Sequence, residues 1–180
     1  MSKALLIIDV QNDYFEGGRA ELVNPLSALT HVEKALALFR EAGLPVIHVQ
    51  HISTRPDATF FLPNTVGAQI HNSIAPRDGE TVVIKHAPSS FYQTGLAEVL
   101  KEMAVDELVV CGMMSHMCVD TTVRACKDFG LAVTLLHDAC ATKNLVWNGE
   151  TIPAATVHAA YMASLSGTFA NVIATDELVL

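Results

Sequence analysis

The chain has 180 residues, of which 51% are hydrophobic and 17% are charged, and its net charge is −8. The hydrophobic fraction excludes intrinsic disorder, and the negative charge excludes the dense basic face that a nucleic-acid-binding protein needs. The length fits a single domain over residues 1–180. Because the charged fraction lies below the roughly 25% usual in soluble domains, we expect a homo-oligomer that buries part of this surface.

The lengths of the apolar runs and the spacing of the cysteines indicate the cellular compartment of the protein. No run reaches the roughly eighteen apolar residues of a membrane span, and Asp9 interrupts the N-terminal run before it reaches signal-peptide length. The cysteines, at positions 111, 118, 126 and 140, form no C-x-x-C pair. We therefore expect a cytoplasmic protein with no membrane partner, disulfide framework or structural zinc.

Short apolar runs alternate along the chain with longer stretches of helical periodicity, a pattern typical of a parallel sheet with helices on both faces. Six runs are predicted strands: 4–10, 45–50, 81–85, 108–113, 131–136 and 171–174. Apolar residues at helical spacing predict helices around 29–39, 96–103 and 119–126. Residues 53–79 are irregular and form a candidate lid. The predicted fold is α/β, with a doubly wound, mostly parallel six-stranded sheet.

Three predicted strands are followed by residues that can carry chemistry. Asp9 lies at the end of the first strand, Lys85 at the end of the third, and Cys118 in the turn after the fourth. A doubly wound sheet binds its ligand beyond the carboxyl ends of its strands, so we expect these side chains to converge. The structural alternatives are a buried ion pair for Asp9 and Lys85, and a space-filling thiol for Cys118.

The turn around Cys118 resembles the start of a helix. Ser115 is a predicted N-cap, which would place Cys118 in the first helical turn, where the helix dipole lowers the pKa of a thiol. Free N–H groups there could bind an oxyanion, worth about 3 to 4 kcal/mol per donor, against about 2 kcal/mol for complete ionisation of the thiol. If Ser115 caps the N–H of Cys118 rather than that of Met117, this donor is not free. Cys111, Cys126 and Cys140 are interpreted as buried filler.

Three segments in this order resemble the isochorismatase-like cysteine hydrolases, in their amide-cleaving branch. They are residues 9–15 (DVQNDYF), Lys85 with residues 89–94 (SSFYQT), and residues 112–119 (GMMSHMCV) with the following Thr121 and Thr122. The resemblance implies the strand order 3-2-1-4-5-6 and a catalytic triad of Asp9, Lys85 and Cys118. It also implies a cis peptide between Met113 and Met114. The N–H groups of Met114 and Cys118 would then form the oxyanion hole.

The resemblance also implies a reaction. A small-molecule amide or carbamoyl C–N bond would be hydrolysed through a thioester, without a cofactor. Asp9 would take the thiol proton, Lys85 would hold the thiolate and the acid in place, and Cys118 would attack the carbonyl. Family members that hydrolyse the vinyl ether of isochorismate lack the cysteine, so Cys118 argues against that chemistry.

A metal-dependent nicotinamidase-like amidase is one alternative function. Metal-binding nicotinamidases of the family carry an Asp-x-His pair after the second strand and a further His in the next loop. In this chain His51 and Ser53 stand at the paired positions, which leaves His71 as the remaining candidate ligand. An ion would have to recruit His51 and His71 with a third ligand such as Asp57. We therefore expect no metal.

A catalytically silent scaffold or binding protein of the same fold is the second alternative, because a fold can outlast its activity. Nucleotide binding is excluded, since residues 9–15 contain no glycine and no phosphate-loop motif occurs. The absence of a C-x-x-C partner for Cys118 argues against thiol-redox chemistry.

Several residues flank the three motifs or lie in nearby loops and are candidates for the substrate pocket. They are Phe15, His51, Phe91, Tyr92, His116, Met117 and Trp147. For each of them a core or interface role is the structural alternative. Trp147, the single tryptophan, either covers the pocket or packs into a neighbouring subunit.

Overall fold

The computed structural model describes residues 2–180. The strands are β1 (Lys3–Ile8), β2 (Val46–His51), β3 (Thr81–Lys85), β4 (Glu107–Met113), β5 (Ala132–Ala141), β6 (Leu145–Trp147), β7 (Glu150–Ile152) and β8 (Asn171–Ile173). The helices are α1 (Pro25–Glu41), α2 (Leu96–Glu102), α3 (Asp120–Asp128) and α4 (Ala154–Leu165). No helix in this part of the chain is long and apolar enough to cross a bilayer.

Six strands form one parallel sheet in the order β3-β2-β1-β4-β5-β8. Strands β6 and β7 form a separate antiparallel hairpin, so β8 is the sixth strand of the sheet along the chain. The predicted doubly wound α/β fold and its order 3-2-1-4-5-6 are confirmed. The strand order reverses between β1 and β4, which is where such sheets bind their ligands.

The central strand β1 separates two halves of the core. Its side chains alternate, with Leu5 and Ile7 packing in the cluster of α1, and Leu6 and Ile8 in the cluster that contains residues of α2, α3 and α4. A strand covered on both faces reads as a continuous apolar run. Asp9 therefore follows a strand that is shielded from water on both sides.

Gly112 brings the ends of β4 and β1 together. Its φ of +130° is a conformation that side chains rarely adopt, and a Cβ atom there would overlap the backbone of Ile8. Glycine is therefore required at this position. The turn that carries Cys118 consequently begins beside the end of β1.

The structure differs from the sequence prediction in its last third. Strand β5 extends to Ala141, beyond the predicted end at Leu136. The prediction is too short because the polar residues His137 and Asp138 interrupt the apolar pattern of the strand. The hairpin and α4 were not predicted. Residues 53–79 are irregular, as predicted, apart from short 3-10 turns.

Candidate active site

The structure brings Asp9, Lys85 and Cys118 together at the carboxyl edge of the sheet. Lys85 Nζ lies 2.8 Å from Asp9 Oδ2 and 3.2 Å from Cys118 Sγ. Asp9 and Lys85 are fully buried, and Cys118 is 6% exposed. The ammonium also donates to the carbonyl of Ala87 at 3.0 Å. The predicted convergence of an acid, a base and a thiol is thus observed.

The sheet explains how distant residues meet here. Lys85 ends β3, which is separated from β1 by β2, and the lysine stem is long enough to span this gap. Asp9 follows β1 with a φ of +52°, a region that Asp enters more readily than most residues. Its N–H donates to the carbonyl of Val49 at 3.0 Å, which fixes the backbone under the carboxylate.

Burial controls the protonation of all three groups. It raises the pKa of the Asp9 carboxyl, and the charge of Lys85 offsets this only in part. Burial lowers the pKa of Lys85, but Asp9 and Cys118 more than compensate, so the net pKa is raised and the amine stays protonated. Burial, followed by the charge of Asp9, raises the pKa of the Cys118 thiol. The prediction of a thiol acidified by a helix dipole is therefore wrong, because desolvation dominates.

The turn that carries Cys118 also differs from the prediction. The Met113–Met114 peptide is cis, as expected, and a π-helical turn, Ser115–Val119, leads into α3. Ser115 is not an N-cap, because its buried hydroxyl lies 2.8 Å from His158 Nδ1 and 3.4 Å from the carbonyl of Ala141. Met114 occupies the N-cap position and offers no side-chain acceptor. The N–H of Cys118 is consequently not capped by Ser115.

His51 makes a contact that the sequence analysis missed. Its Nδ1 lies 3.0 Å from Lys85 Nζ, and since an ammonium only donates, Nδ1 is the acceptor. Burial, with Lys85 as the next cause, lowers the pKa of His51 to about 4, so the ring is neutral. The signal was present in the chain, because His51 and Lys85 end adjacent parallel strands in register.

A cavity of about 180 Å³ borders Cys118. Its aromatic wall consists of Tyr14, Phe60 and Phe61. Two predicted pocket residues, His51 and Met117, line it, as does Met114. The cavity therefore gives a small molecule access to the thiol.

The structure places the other five predicted pocket residues outside this cavity. Phe15 is buried and packs against His71, with ring centroids 4.5 Å apart, and Phe91 stacks on Phe129 at 4.4 Å. Tyr92 and Trp147 are 59% and 71% exposed, and His116 Nδ1 lies 2.6 Å from Thr142 Oγ1. These five residues are close to the motifs in sequence but do not line the cavity that borders Cys118.

The irregular segment supplies a part of the cavity that was not predicted from the sequence. Ser53, Arg55 and the pair Phe60 and Phe61 line it, together with His86 beyond β3. The usable signal was two consecutive aromatic residues in a segment already singled out as a candidate lid.

One cluster of the described residues has metal-ligand chemistry. Asp9, His51 and Cys118 each offer a ligand atom, and these atoms lie within 4.8 Å of one another. The ammonium of Lys85 contacts all three side chains and supplies the positive charge that balances the Asp9 carboxylate. The other ligands considered above make different contacts, since His71 Nδ1 lies 3.0 Å from Ser73 Oγ and the exposed Asp57 faces Arg55.

Comparisons with known proteins show the family of the chain. The family model for the isochorismatase domain matches residues 3–177. An isochorismatase family protein of Bacillus subtilis, YddQ, is 49% identical over 179 residues, covering 99% of each chain. Streptothricin hydrolase of Streptomyces noursei is 36% identical over 156 residues, 85% of this chain and 55% of that protein. A crystal structure from Oleispira antarctica, assigned to the isochorismatase hydrolases, superimposes with a TM-score of 0.94 at 49% identity and covers 98% of this chain and 95% of that one. The chain is therefore a hydrolase of the isochorismatase family.

Proposed function

We propose that this protein is a cysteine hydrolase that cleaves the C–N bond of a small amide or carbamoyl compound through a thioester, without a cofactor or metal. Asp9, Lys85 and Cys118 would be its catalytic residues. The observation that carries the proposal is the position of the Lys85 ammonium, 2.8 Å from Asp9 Oδ2 and 3.2 Å from Cys118 Sγ. Nucleophile, base and cation thus share one water-poor site that opens to a cavity.

The raised pKa values of Asp9 and Cys118 define the first step. The resting thiol is protonated, and a carboxylate with a raised pKa is a stronger base than a carboxylate in water. Asp9 accepts the thiol proton as Cys118 Sγ attacks the carbonyl carbon. Lys85 remains an ammonium and stabilises the sulfur while its charge develops.

The second step breaks the C–N bond. The tetrahedral oxyanion accepts hydrogen bonds from the N–H groups of Met114 and Cys118. Within residues 2–180, neither N–H donates to a side chain or a neighbouring loop. Collapse expels the nitrogen, which takes the proton from Asp9 and leaves as ammonia or an amine. Water, deprotonated by Asp9, then attacks the thioester. A carboxylic acid, or a carbamic acid from a carbamoyl substrate, leaves, and Asp9 returns the proton to the thiolate of Cys118.

The cavity limits the substrate to a small molecule. Its volume of about 180 Å³ lies below the roughly 300 to 1,000 Å³ of sites for drug-sized ligands. Phe60 and Phe61 give it an apolar wall. The similarity to streptothricin hydrolase, named above, supports hydrolysis of a non-peptide C–N bond.

The test is a screen of primary amides, ureido acids and carbamoyl compounds for ammonia release. We expect turnover of at least one compound, abolished in Cys118→Ala while the urea unfolding transition is retained. Cys126→Ala removes a buried thiol of α3 outside the cavity and should keep the rate. A fully active Cys118→Ala protein would disprove the mechanism, and the absence of turnover with all compounds would favour a silent scaffold.

The same site predicts the pH dependence of the rate. Asp9 must be ionised to accept the proton, and its pKa is raised, so kcat/KM should fall on the acid side at a pH above its ordinary value of 3.8. The pKa of Lys85 is raised above 10.5, so loss of its proton should not reduce the rate below about pH 10.

A further inference from the structure

The backbone and the ring of His51 are both held in place. The side-chain amide of Gln11 binds the His51 peptide at both ends, accepting from its N–H at 2.8 Å and donating to its carbonyl at 2.9 Å. The ring accepts from Lys85 Nζ through Nδ1 at 3.0 Å and packs against Phe61, with ring centroids 5.8 Å apart. The two ring contacts therefore fix the direction of this imidazole, and the two bonds from Gln11 fix the backbone that carries it.

The contact with Lys85 also fixes the proton on the ring. A neutral imidazole carries one proton, and an Nδ1 that accepts from an ammonium cannot hold it. The low pKa of His51, about 4, keeps the ring neutral at physiological pH. The proton therefore resides on Nε2, which is a hydrogen-bond donor.

The donor on Nε2 has no protein partner among the hydrogen bonds of residues 2–180, and it is not sealed from solvent. His51 lines the cavity, and a ring nitrogen lies within 4.8 Å of Cys118 Sγ. The donor is thus available to a molecule in the cavity, one imidazole width from the lysine that holds the nucleophile.

We propose that His51 is a specificity-determining residue, whose Nε2–H donates a hydrogen bond to an acceptor on the acyl part of the substrate. The inference rests on the function proposed above and narrows its substrate class. The preferred substrate carries a carbonyl, carboxylate or ring-nitrogen acceptor close to the scissile carbonyl.

The surrounding charges act in the same direction. The Lys85 ammonium contacts the His51 ring, and the guanidinium of Arg55 belongs to a residue that lines the same cavity. A substrate with an ammonium group near the acyl carbon would meet these charges and leave the Nε2 donor unpaired. The cavity therefore selects acceptors and anions over cationic amines.

The test uses thiol reagents that differ only in the group beyond the reacting sulfur. Ethyl, 2-sulfonatoethyl and 2-trimethylammonioethyl methanethiosulfonate each convert Cys118 to a mixed disulfide with release of methanesulfinate. The quantity measured is the rate of labelling of Cys118, followed by peptide mass spectrometry. We expect the order sulfonatoethyl, ethyl, trimethylammonioethyl, from fastest to slowest.

The variant His51→Asn separates the two sides of the ring. The Asn side-chain oxygen is as many bonds from the backbone as Nδ1, so Lys85 keeps an acceptor. The Asn NH2 group stands where the ring has Cδ2, one bond short of Nε2, so the donor no longer reaches as far into the cavity. The ratio of sulfonatoethyl to ethyl rates should fall about tenfold, and the ethyl rate should change less than about twofold. The matched control His137→Asn lies on β5 outside the cavity and should leave the ratio unchanged.

Two outcomes would overturn the inference. An equal fall in both rates would mean that His51 acts only through Lys85, and an unchanged ratio would mean that Nε2 donates nothing to the bound group. As an independent readout, nitrogen-15 NMR of the imidazole, assigned with His51→Asn, should show a neutral ring protonated on Nε2 at pH 7. A ring protonated on Nδ1, or on both nitrogens, would overturn it as well.

Failure of the proposed function would look different. If the protein hydrolyses no amide, the proposed activity is wrong. If the labelling ratio still changes as expected in His51→Asn, His51 nevertheless selects acceptors. If no reagent labels Cys118, the accessible nucleophile of the proposed function is disproved, and the NMR result alone decides the role of His51.

Discussion

The carboxylate of Asp13 binds the backbone of Phe61, with 2.7 Å between Oδ2 and the amide nitrogen, although 48 positions separate the two residues. Its other oxygen accepts from the N–H of Arg19 at 3.1 Å. Asp13 is buried, and a Cβ atom at Gly67 would overlap its carboxylate. One side chain thus joins the aromatic wall of the cavity to the turn that follows β1.

Asp13→Ala should destabilise the protein by about 2 to 4 kcal/mol, because the buried N–H of Phe61 and the part-buried N–H of Arg19 lose their acceptor. The free energy of unfolding in urea measures the change. Asp57→Ala removes an exposed carboxylate from the irregular segment that contains Phe61 and should cost less than about 0.5 kcal/mol. Equal losses in the two variants would contradict an anchoring role for Asp13.

The Asp9–Lys85 pair should behave as a buried ion pair. Lys85→Met leaves a buried, uncompensated carboxylate and should destabilise the protein by about 3 to 5 kcal/mol. The double variant Asp9→Asn with Lys85→Met removes both charges, and we expect it to regain much of this loss, since Asn also tolerates the positive φ of residue 9. Urea unfolding of the single and double variants checks this. Additive losses would show that the two charges are not coupled.

Glu80 should make part of the stability dependent on pH. Burial raises its pKa, but hydrogen bonds from Arg40, the Arg77 N–H and His48 lower it more, to about 2, from an ordinary value of 4.5. A lowered folded-state pKa stabilises the protein fully above pH 4.5, and this contribution is lost as the pH falls towards 2. The gap in unfolding free energy between the natural chain and Glu80→Gln should therefore narrow from about pH 6 to about pH 3. The exposed Glu150→Gln serves as control, and a gap that stays constant for Glu80→Gln would refute the linkage.

Chelation should not affect the hydrolysis rate. The Lys85 ammonium already balances the charge of the Asp9 carboxylate and donates to Cys118 Sγ, the two groups that a metal would use, and serine at position 53 is a poor zinc ligand. We expect full activity after dialysis against a strong chelator and no stoichiometric metal by elemental analysis. Activity that is lost on chelation and restored by zinc, manganese or iron would favour the metal-dependent, nicotinamidase-like mechanism instead.

Self-association remains a prediction. The charged fraction of 17% is low, and the hairpin exposes Val146 and Trp147 at 70% and 71%. Sedimentation at micromolar concentration should give a species heavier than the 19.3 kDa chain. A monomer under these conditions would show that these apolar side chains face water.

The convergence of Asp9, Lys85 and Cys118 could be predicted because parallel strands end at one edge of a sheet. This rule locates the ends of the strands but does not predict which side chains form hydrogen bonds with one another. The contact of His51 with Lys85 depends on which ring nitrogen faces the ammonium, and the partners of Ser115 depend on how α4 packs. Both are set by tertiary structure, which local patterns do not encode.

The hairpin was missed although its turn, Asn148-Gly149, is a strong local hairpin signal. Its strands are three residues long and exposed, so they lack the alternating buried pattern by which the longer strands were identified. The aromatic wall was missed for the opposite reason. Phe61 is buried and its N–H donates to a distant carboxylate, but it lies in a segment without regular hydrophobic periodicity.

The exposed hairpin also gives the protein a native optical reporter. Because Trp147 is the single tryptophan, all indole fluorescence of the chain originates at the tip of β6. Emission from the free chain should be that of a hydrated indole and should be readily quenched by iodide. If a second copy or a ligand covers this strand, the emission maximum should shift to shorter wavelength. Every association event at this position can therefore be followed without a label.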